Sequence, residues 1–316
     1  MTPVETPVEK WSGSVREVTL GGGTRSSVTV GGETTLPFLD FDGAMPHRPV
    51  LAIEIEDRKP EGWSPELQSA WGEIMDDPAQ WARRAVDLGA DLIAIKLDGC
   101  HPDRGDHDGA YAADRVRQVL AAVDVPLLVN GPGIPDKDNE VLVAVAEATK
   151  GEQLALGICE EKNYRTIVAA ALGNGHVVVG FTPIDVNLAK QLNILISDMG
   201  LPLDRVLMDP NTGALGYGLE YTYSVMERLR LAALMGDAMT QQPLICQAGA
   251  EVWRQKEARA VDGVPEAWGD LSGRGVAWEI STGMTLLEAG ADILLVRHPD
   301  SLSALRAALD DLVKGA

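Results

Sequence analysis

A chain of 316 residues with 45% apolar content can bury one large core, the size of a single barrel-type domain with extensions. Its 47 acidic residues against 27 basic ones give a formal net charge of −20 at pH 7, which works against binding to nucleic-acid phosphates or to an anionic lipid surface. No run of roughly 18 apolar residues is present to span a bilayer, and the opening MTPVETPVEKWSG has neither a basic end nor an apolar stretch, so a cytoplasmic protein without nucleic-acid or membrane partners is expected.

In chain order, residues 1–49 read as an extension. Within it VREVTLGGGTRSSVTVGG alternates apolar and polar residues on both sides of a Gly-rich turn, the pattern of a β-hairpin. GGGTRSS is no phosphate loop, because it lacks the Lys-Ser/Thr ending and no helix follows. From residue 50 to 316 one unit repeats eight times. The apolar runs VLAIEI, DLIAIKL, VPLLVN, QLALGIC, HVVVGF, RVLMD, PLICQ and ADILLVR each end in a polar or Gly-rich turn, and each is followed by a helical pattern. Continuous apolar strands separated by helices are parallel strands buried on both faces. Several helices begin at Asp or Ser and end at Gly, as cap chemistry favours. Eight units closing one sheet give an α/β TIM (β/α)8 barrel with an N-terminal hairpin. An open doubly wound sheet is the alternative, but the Gly-x-Gly-x-x-Gly turn after a first strand is missing. Residues 251–274, after strand seven, form the longest interruption and read as a long loop.

Chemistry in this fold belongs at the C-terminal ends of the strands. Those positions give Glu54 and Glu56, Asp98, Asn130, Glu160, Thr182 and Asp185, Asp209 and Asn211, Gln247 and Glu251, and His298. This ring is rich in amides and carboxylates and poor in fixed cations, with only Arg297 and His298 after the last strand, so sugar-phosphate chemistry is disfavoured. Asp209 either binds a polar ligand or holds the turn DPNTG. His298 either moves a proton or is fixed by the turn at Pro299. In DGCHPDRGDHDG, His101, Asp103, Asp106, His107 and Asp108 either hold a divalent ion or form a solvated loop in which Asp108 caps the next helix. Cys100, Cys159 and Cys246 are odd in number and far apart, without a Cys-x-x-Cys pair. They read as small core residues, so no metal site, disulfide or iron–sulfur cluster is expected in this chain.

Three long stretches carry a resemblance: FTPIDVNLAKQLNILISDMGLP, RVLMDPNTGALGYGLEYTYSVMERLRLAALMGD and GADILLVRHPD, joined by VGGETTLPFLDFDGAMPHRPVLAIEIEDRKPEGW, EKNYRTIVAAALGNGH and PEAWGD. The sequence resembles the small subunit of the corrinoid iron–sulfur protein, the delta subunit of the acetyl-CoA decarbonylase/synthase complex, from about Val15 onward. The resemblance implies a TIM barrel that pairs with a larger subunit carrying cobalamin and a [4Fe–4S] cluster. It implies work in the reductive acetyl-CoA (Wood–Ljungdahl) pathway, between a methyl-tetrahydropterin methyltransferase and acetyl-CoA synthase/CO dehydrogenase. The barrel mouth would then cap the cobalamin held by the large subunit, and no residue of this chain would be catalytic. Candidate cobalamin-facing residues are Asp98, Asn130, Thr182, Asp209, Asn211, Thr212, Gly213, Gly216, Gln247 and His298. In this reading Gly213, Gly216 and Gly218 let the backbone approach the macrocycle, and the helix that follows packs Tyr221, Val225, Leu229 and Ala232 on the sheet.

Two other readings stay open at this stage. Pterin-dependent methyltransferases share the barrel and hold the pterin with strand-end Asp and Asn residues, a part Asp98, Asn130, Asp185 and Asn187 could play. A lyase or aldolase would need a Schiff-base lysine, for which Lys96 is the candidate.

Overall fold

The computed structural model describes residues 7–23 and 25–314. Strands β1 (Val18–Leu20) and β2 (Val28–Val30) pair antiparallel as the predicted hairpin, with Thr19 opposite Thr29. The barrel follows: β3 (Val50–Glu56), α1 (Pro65–Trp71), α2 (Pro78–Asp87), β4 (Leu92–Lys96), α3 (Gly109–Leu120), β5 (Leu127–Asn130) and α4 (Pro135–Ala148). Next come β6 (Ala155–Cys159), α5 (Tyr164–Asn174), β7 (Val177–Phe181), α6 (Val186–Asp198), β8 (Val206–Asp209) and α7 (Leu219–Leu234). The chain continues with β9 (Leu244–Cys246), α8 (Ala248–Trp253), α9 (Lys256–Arg259), α10 (Leu271–Glu288), β10 (Ala291–Val296) and α11 (Pro299–Lys314). Strands β3 to β10 run parallel and close into an eight-stranded barrel, β10 returning to β3. No helix among the described residues is long and apolar enough to cross a membrane.

Helix starts follow local chemistry. The carboxylates of Asp77, Asp108 and Asp185 each accept backbone N–H bonds from the first turn of α2, α3 and α6, which satisfies donors that would otherwise be left open. Sequence periodicity passed over α1, whose 7 residues are too few to show a pattern; Ser64 caps it and Pro65 opens it. The long loop expected at residues 251–274 is shorter in fact. It contains the end of α8, all of α9 and a 3-10 turn at Glu266–Trp268, and α10 starts at Leu271. Arg274, buried on α10, fixes it by donating to the carbonyls of Glu257, Gly269 and Ala260.

Two apolar clusters stabilise the barrel. The larger lies between the strands and the helices. The smaller fills the interior, where Ala52, Leu92, Ala94, Leu128, Val177, Leu207, Ile245 and Leu295 meet Val18, Leu20 and Val30 of the hairpin. The hairpin therefore plugs the N-terminal end of the barrel. Backbone bonds from Arg16 to Gln241 and from Gly21 to Gln153 tie it to the turns there. A buried ion triad adds a second tie. Arg230 of α7 donates to Glu33 at 2.8 Å, to Asp292 of β10 at 3.0 Å and to the Gly290 carbonyl at 2.7 Å. With its floor sealed, the barrel is open to ligands or partners at its C-terminal end.

Candidate functional site

The strand register decides which polar side chains enter the mouth. Glu56 is paired with Lys96, Lys96 with Asn130 and Asn130 with Gly157, so these positions form one inward-facing layer above the apolar plug. On the β5, β8 and β9 side the layer is a row of amides and an acid. Asn130 Nδ2 donates to Gln247 Oε1 at 3.3 Å, and Gln247 Nε2 donates to Asp209 Oδ2 at 2.7 Å. The other carboxylate oxygen of Asp209 accepts from Asn211 N at 3.0 Å, while Gln247 N donates to Thr212 Oγ1 at 2.9 Å. Thr182 joins through its N–H to the Asp209 carbonyl. Asn130 Oδ1 is buried and has no partner among the described residues.

Burial pushes the Asp209 carboxyl up to about 6, against hydrogen bonds from Gln247 and Asn211. Since the folded value lies above the ordinary one, protonation favours the native state. The stabilisation is full below the unfolded value near 3.8 and is lost as pH rises through about 6. Across that window Asp209 contributes a slope of at most about 1.4 kcal/mol per pH unit. Asp209→Asn keeps an acceptor for Asn211 and removes the titration, so denaturant melts of the variant between pH 4 and 6 should show a shallower fall of stability with rising pH than the parent. Unchanged slopes would refute the assignment.

The β3, β4 and β10 side is charged. A cleft of about 390 Å³ is lined by Glu56, Arg58, Glu61, Gly62, Trp63, Lys96, Asp98, Arg104 and Arg297. Arg297 Nε donates to Glu54 Oε1 at 3.0 Å, and its guanidinium lies 4.7 Å from the Trp63 ring centroid. Trp63 Nε1 in turn donates to Glu56 at 2.9 Å. Arg104 pairs with Asp98, and Arg58 with Glu61. Burial raises the Glu56 carboxyl, opposed by Arg297. The expectation of a mouth poor in cations is thus corrected: Arg58, Lys96 and Arg104 join Arg297 at one cleft. Sequence reasoning missed Arg58 and Trp63 because both sit beyond the strand end, in EDRKPEGW, where nothing marks the direction of the loop. Arg104 lies inside the His/Asp-rich loop whose acids drew the attention.

Of the residues expected at the mouth, Asn130, Thr182, Asp209, Asn211, Thr212 and Gln247 come together in the amide row, and Asp98 lines the charged cleft. Three others differ from expectation. Gly213 is buried, and a Cβ there would lie 2.5 Å from the Gly218 carbonyl carbon, so its smallness serves the turn and not an approaching ligand. Gly216 occupies the exposed tip of the same turn at φ +78°. His298 stacks on Trp253 and accepts the Asp300 N–H through Nδ1 at 3.1 Å, which is the turn-fixing role at Pro299. Tyr221 is likewise corrected. It is 65% exposed, and α7 buries Leu219, Thr222, Val225, Met226 and Leu229.

The alternative chemistries fare unevenly. Asp185 is engaged in capping α6, and Asn187 beside it is exposed. In the His/Asp-rich loop Asp108 caps α3 and His107 stacks on Tyr111, and no group of three or more possible metal ligands exists among the described residues. All three cysteines are buried. Burial pushes the Cys100 thiol up to about 12 and raises the Cys159 and Cys246 thiols as well, so none is an activated nucleophile.

Comparison with solved structures agrees with the fold. The chain superposes on Xanthomonas albilineans dihydropteroate synthase with 4-aminobenzoic acid at a TM-score of 0.58, with 15% identity, over 89% of this chain and 98% of that one. The Coxiella burnetii dihydropteroate synthase in complex with pteroic acid gives 0.57 and 12%, over 95% and 99%. At such identities the likeness is one of fold. Sequence relatives are much nearer. The acetyl-CoA decarbonylase/synthase complex subunit delta of Archaeoglobus fulgidus is 38% identical over 316 residues, covering 96% of this chain and 70% of the relative. Subunit delta 1 of Methanosarcina thermophila is 39% identical over 312 residues, covering 95% and 71%. The family model described as CO dehydrogenase/acetyl-CoA synthase delta subunit matches residues 17–307, and the chain belongs to that delta-subunit family.

Proposed function

We propose that this barrel is the non-catalytic small subunit of a corrinoid iron–sulfur protein, and that its mouth caps the cobalamin held by a larger [4Fe–4S] subunit. The observation that carries the reading is an exposed apolar rim beside an open polar mouth. Leu215, Tyr217, Val261 and Trp268 are 38%, 44%, 87% and 43% exposed. Leu215 and Trp268 are linked through Trp278, which donates to the Leu215 carbonyl and packs on Trp268, while Tyr217 donates to Glu257. Adjacent exposed apolar groups of this kind mark a surface meant to be covered.

The mouth residues fit such a cofactor. A corrin ring is fringed with carboxamides, and the row Asn130, Gln247, Asn211 and Thr182 offers amide and hydroxyl partners, with the buried Asn130 Oδ1 still open to a donor. When bound, cobalamin supplies a metal that carries a methyl group. This chain's part is to orient the ring through those amides and to exclude water around it. The cap must then be lifted so that a methyl-tetrahydropterin methyltransferase and the acetyl-CoA synthase/CO dehydrogenase components reach the carrier.

A pterin-dependent methyltransferase is the second reading. It is favoured by Asp209, whose carboxyl near 6 lies beside two amides and would suit protonation of a pterin nitrogen.

Anaerobic gel filtration of the chain with its corrinoid subunit separates the two. Capping predicts co-elution one to one and no methyl transfer by the isolated chain. Leu215→Asp and Tyr217→Asp should each weaken that association by about tenfold or more, since rim anchors dominate such interfaces. Elution apart, with methylation of free reduced cobalamin from methyl-tetrahydrofolate by the chain alone, would establish the enzyme instead.

A further inference from the structure

We propose that the cleft between the ends of β3, β4 and β10 binds a small molecule bearing a single carboxylate, gripped by Lys96 and Arg297. The proposal stands apart from the cap, which uses the amide row running from β5 to β9 beside this cleft. Its first support is Lys96. The register turns this side chain into the barrel between Glu56 and Asn130, where it lines the cleft. Among the described residues its ammonium has no hydrogen bond and no acid within ion-pair distance, whereas Arg58, Arg104 and Arg297 each have one. A cation held in a concave, partly dry site with no counter-charge is a site for an anion.

The second support is Arg297, which is set in place before any ligand arrives. Its backbone N–H donates to the buried Glu279 at 2.7 Å, its Nε and Nη2 both donate to Glu54, and its guanidinium lies over Trp63, which leaves Nη1 to meet a ligand. A fixed guanidinium binds a planar carboxylate with little loss of side-chain freedom.

Charge and size select the ligand class. At the inner end Glu54 already balances Arg297, while Lys96, beside Glu56 in the register, is the lining cation with no acid at ion-pair distance. A monocarboxylate matches that single cation. A phosphate dianion would bring a second negative charge into a cleft already lined by acids, with no further unpaired cation to meet it. The cleft volume of about 390 Å³ lies near the small end of the roughly 300–1,000 Å³ found for ligand sites.

The test is a fluorine NMR titration of the full chain with 4-fluorobenzoate, run beside 4-fluorophenyl phosphate and 4-fluorobenzyl alcohol. The expected result is saturable binding of the benzoate, weaker binding of the phosphate and none of the alcohol. Lys96→Met should weaken benzoate binding by about tenfold or more, the scale of one lost charge-assisted contact, while Lys96→Arg should keep most of it. Near-UV circular dichroism of both variants checks that the barrel is intact. The proposal is overturned if the benzoate does not saturate, if Lys96→Met binds it as the parent does, or if phosphate binds more tightly.

Discussion

Arg230→Met is expected to lower the stability of the chain by about 3–5 kcal/mol, the usual consequence of removing one member of a buried ion cluster. Arg230 is 4% exposed, and it satisfies Glu33, Asp292 and the Gly290 carbonyl at once. Without it, two buried carboxylates face each other with no cation. The melting temperature should fall by roughly 5–15 °C on the scale of a large domain. If the loss comes from stranded charge, then the triple change Arg230→Met, Glu33→Gln and Asp292→Asn should recover part of it, because the amides no longer repel and the new side-chain carbonyl at position 292 can still accept from Leu244 N. Calorimetry of the single and triple variants checks this. A triple variant less stable than the single one would show that the attraction within the triad, and not the charge left behind, sets the magnitude.

Gly213→Ala should cost about 2–4 kcal/mol, and Gly216→Ala only about 1 kcal/mol. Both glycines lie in the turn between β8 and α7, but they meet different surroundings. A Cβ at position 213 would press on backbone atoms of Gly218 and Leu219 at 2.5–2.8 Å, a clash that only movement of the whole turn relieves. The turn is held at that spot by Gly213 N, which donates to Thr222 Oγ1, and by the Thr222 hydroxyl, which donates to the Asn211 carbonyl. Moving it drags Asn211 and Thr212 out of the amide row, so partner association should weaken along with stability. Gly216 has open space, with Trp278 at 3.9 Å as the nearest neighbour, and its penalty comes only from a positive φ. Chemical denaturation of the two variants gives the comparison. Equal losses would place the strain elsewhere.

The barrel was legible because its strands are continuous apolar runs and its helices carry their caps in the sequence, as Asp77, Asp108 and Asp185 show. The strand ends were legible as well, and six of the ten candidate mouth residues meet in one network. Which neighbours they would have was not legible. Asn130 and Gln247 are 117 positions apart, and only closure of the sheet makes them adjacent. Arg297 and His298 are successive residues, yet one lines the cleft while the other caps a helix. The face of α7 was half legible: Val225 and Leu229 are buried as read, but Tyr221 is exposed and Ala232 only partly buried, because a buried arginine interrupts the apolar stripe. Taking Tyr221, Val225, Leu229 and Ala232 as the inner face leaves Arg230 outside, whereas the structure buries it for the triad. The cations of the mouth were overlooked for a different reason. Loop residues such as Arg58 and Arg104 have no periodicity to tell which way they turn.

The plugged floor has a consequence for how the chain is made. Thr19 is held by Gln153, 134 residues later, Glu33 by Arg230, 197 residues later, and Trp71 by the Arg297 carbonyl, 226 residues later. On the ribosome the hairpin therefore waits for its socket until β10 has emerged, and β3 keeps an open edge until the same moment. Contacts of such long reach fold slowly and leave strand edges exposed to other chains meanwhile. Truncated or paused chains that lack β10 are thus the forms of this protein most dependent on chaperones, and the ring becomes safe from edge-to-edge aggregation only when its last strand slides in between β9 and β3.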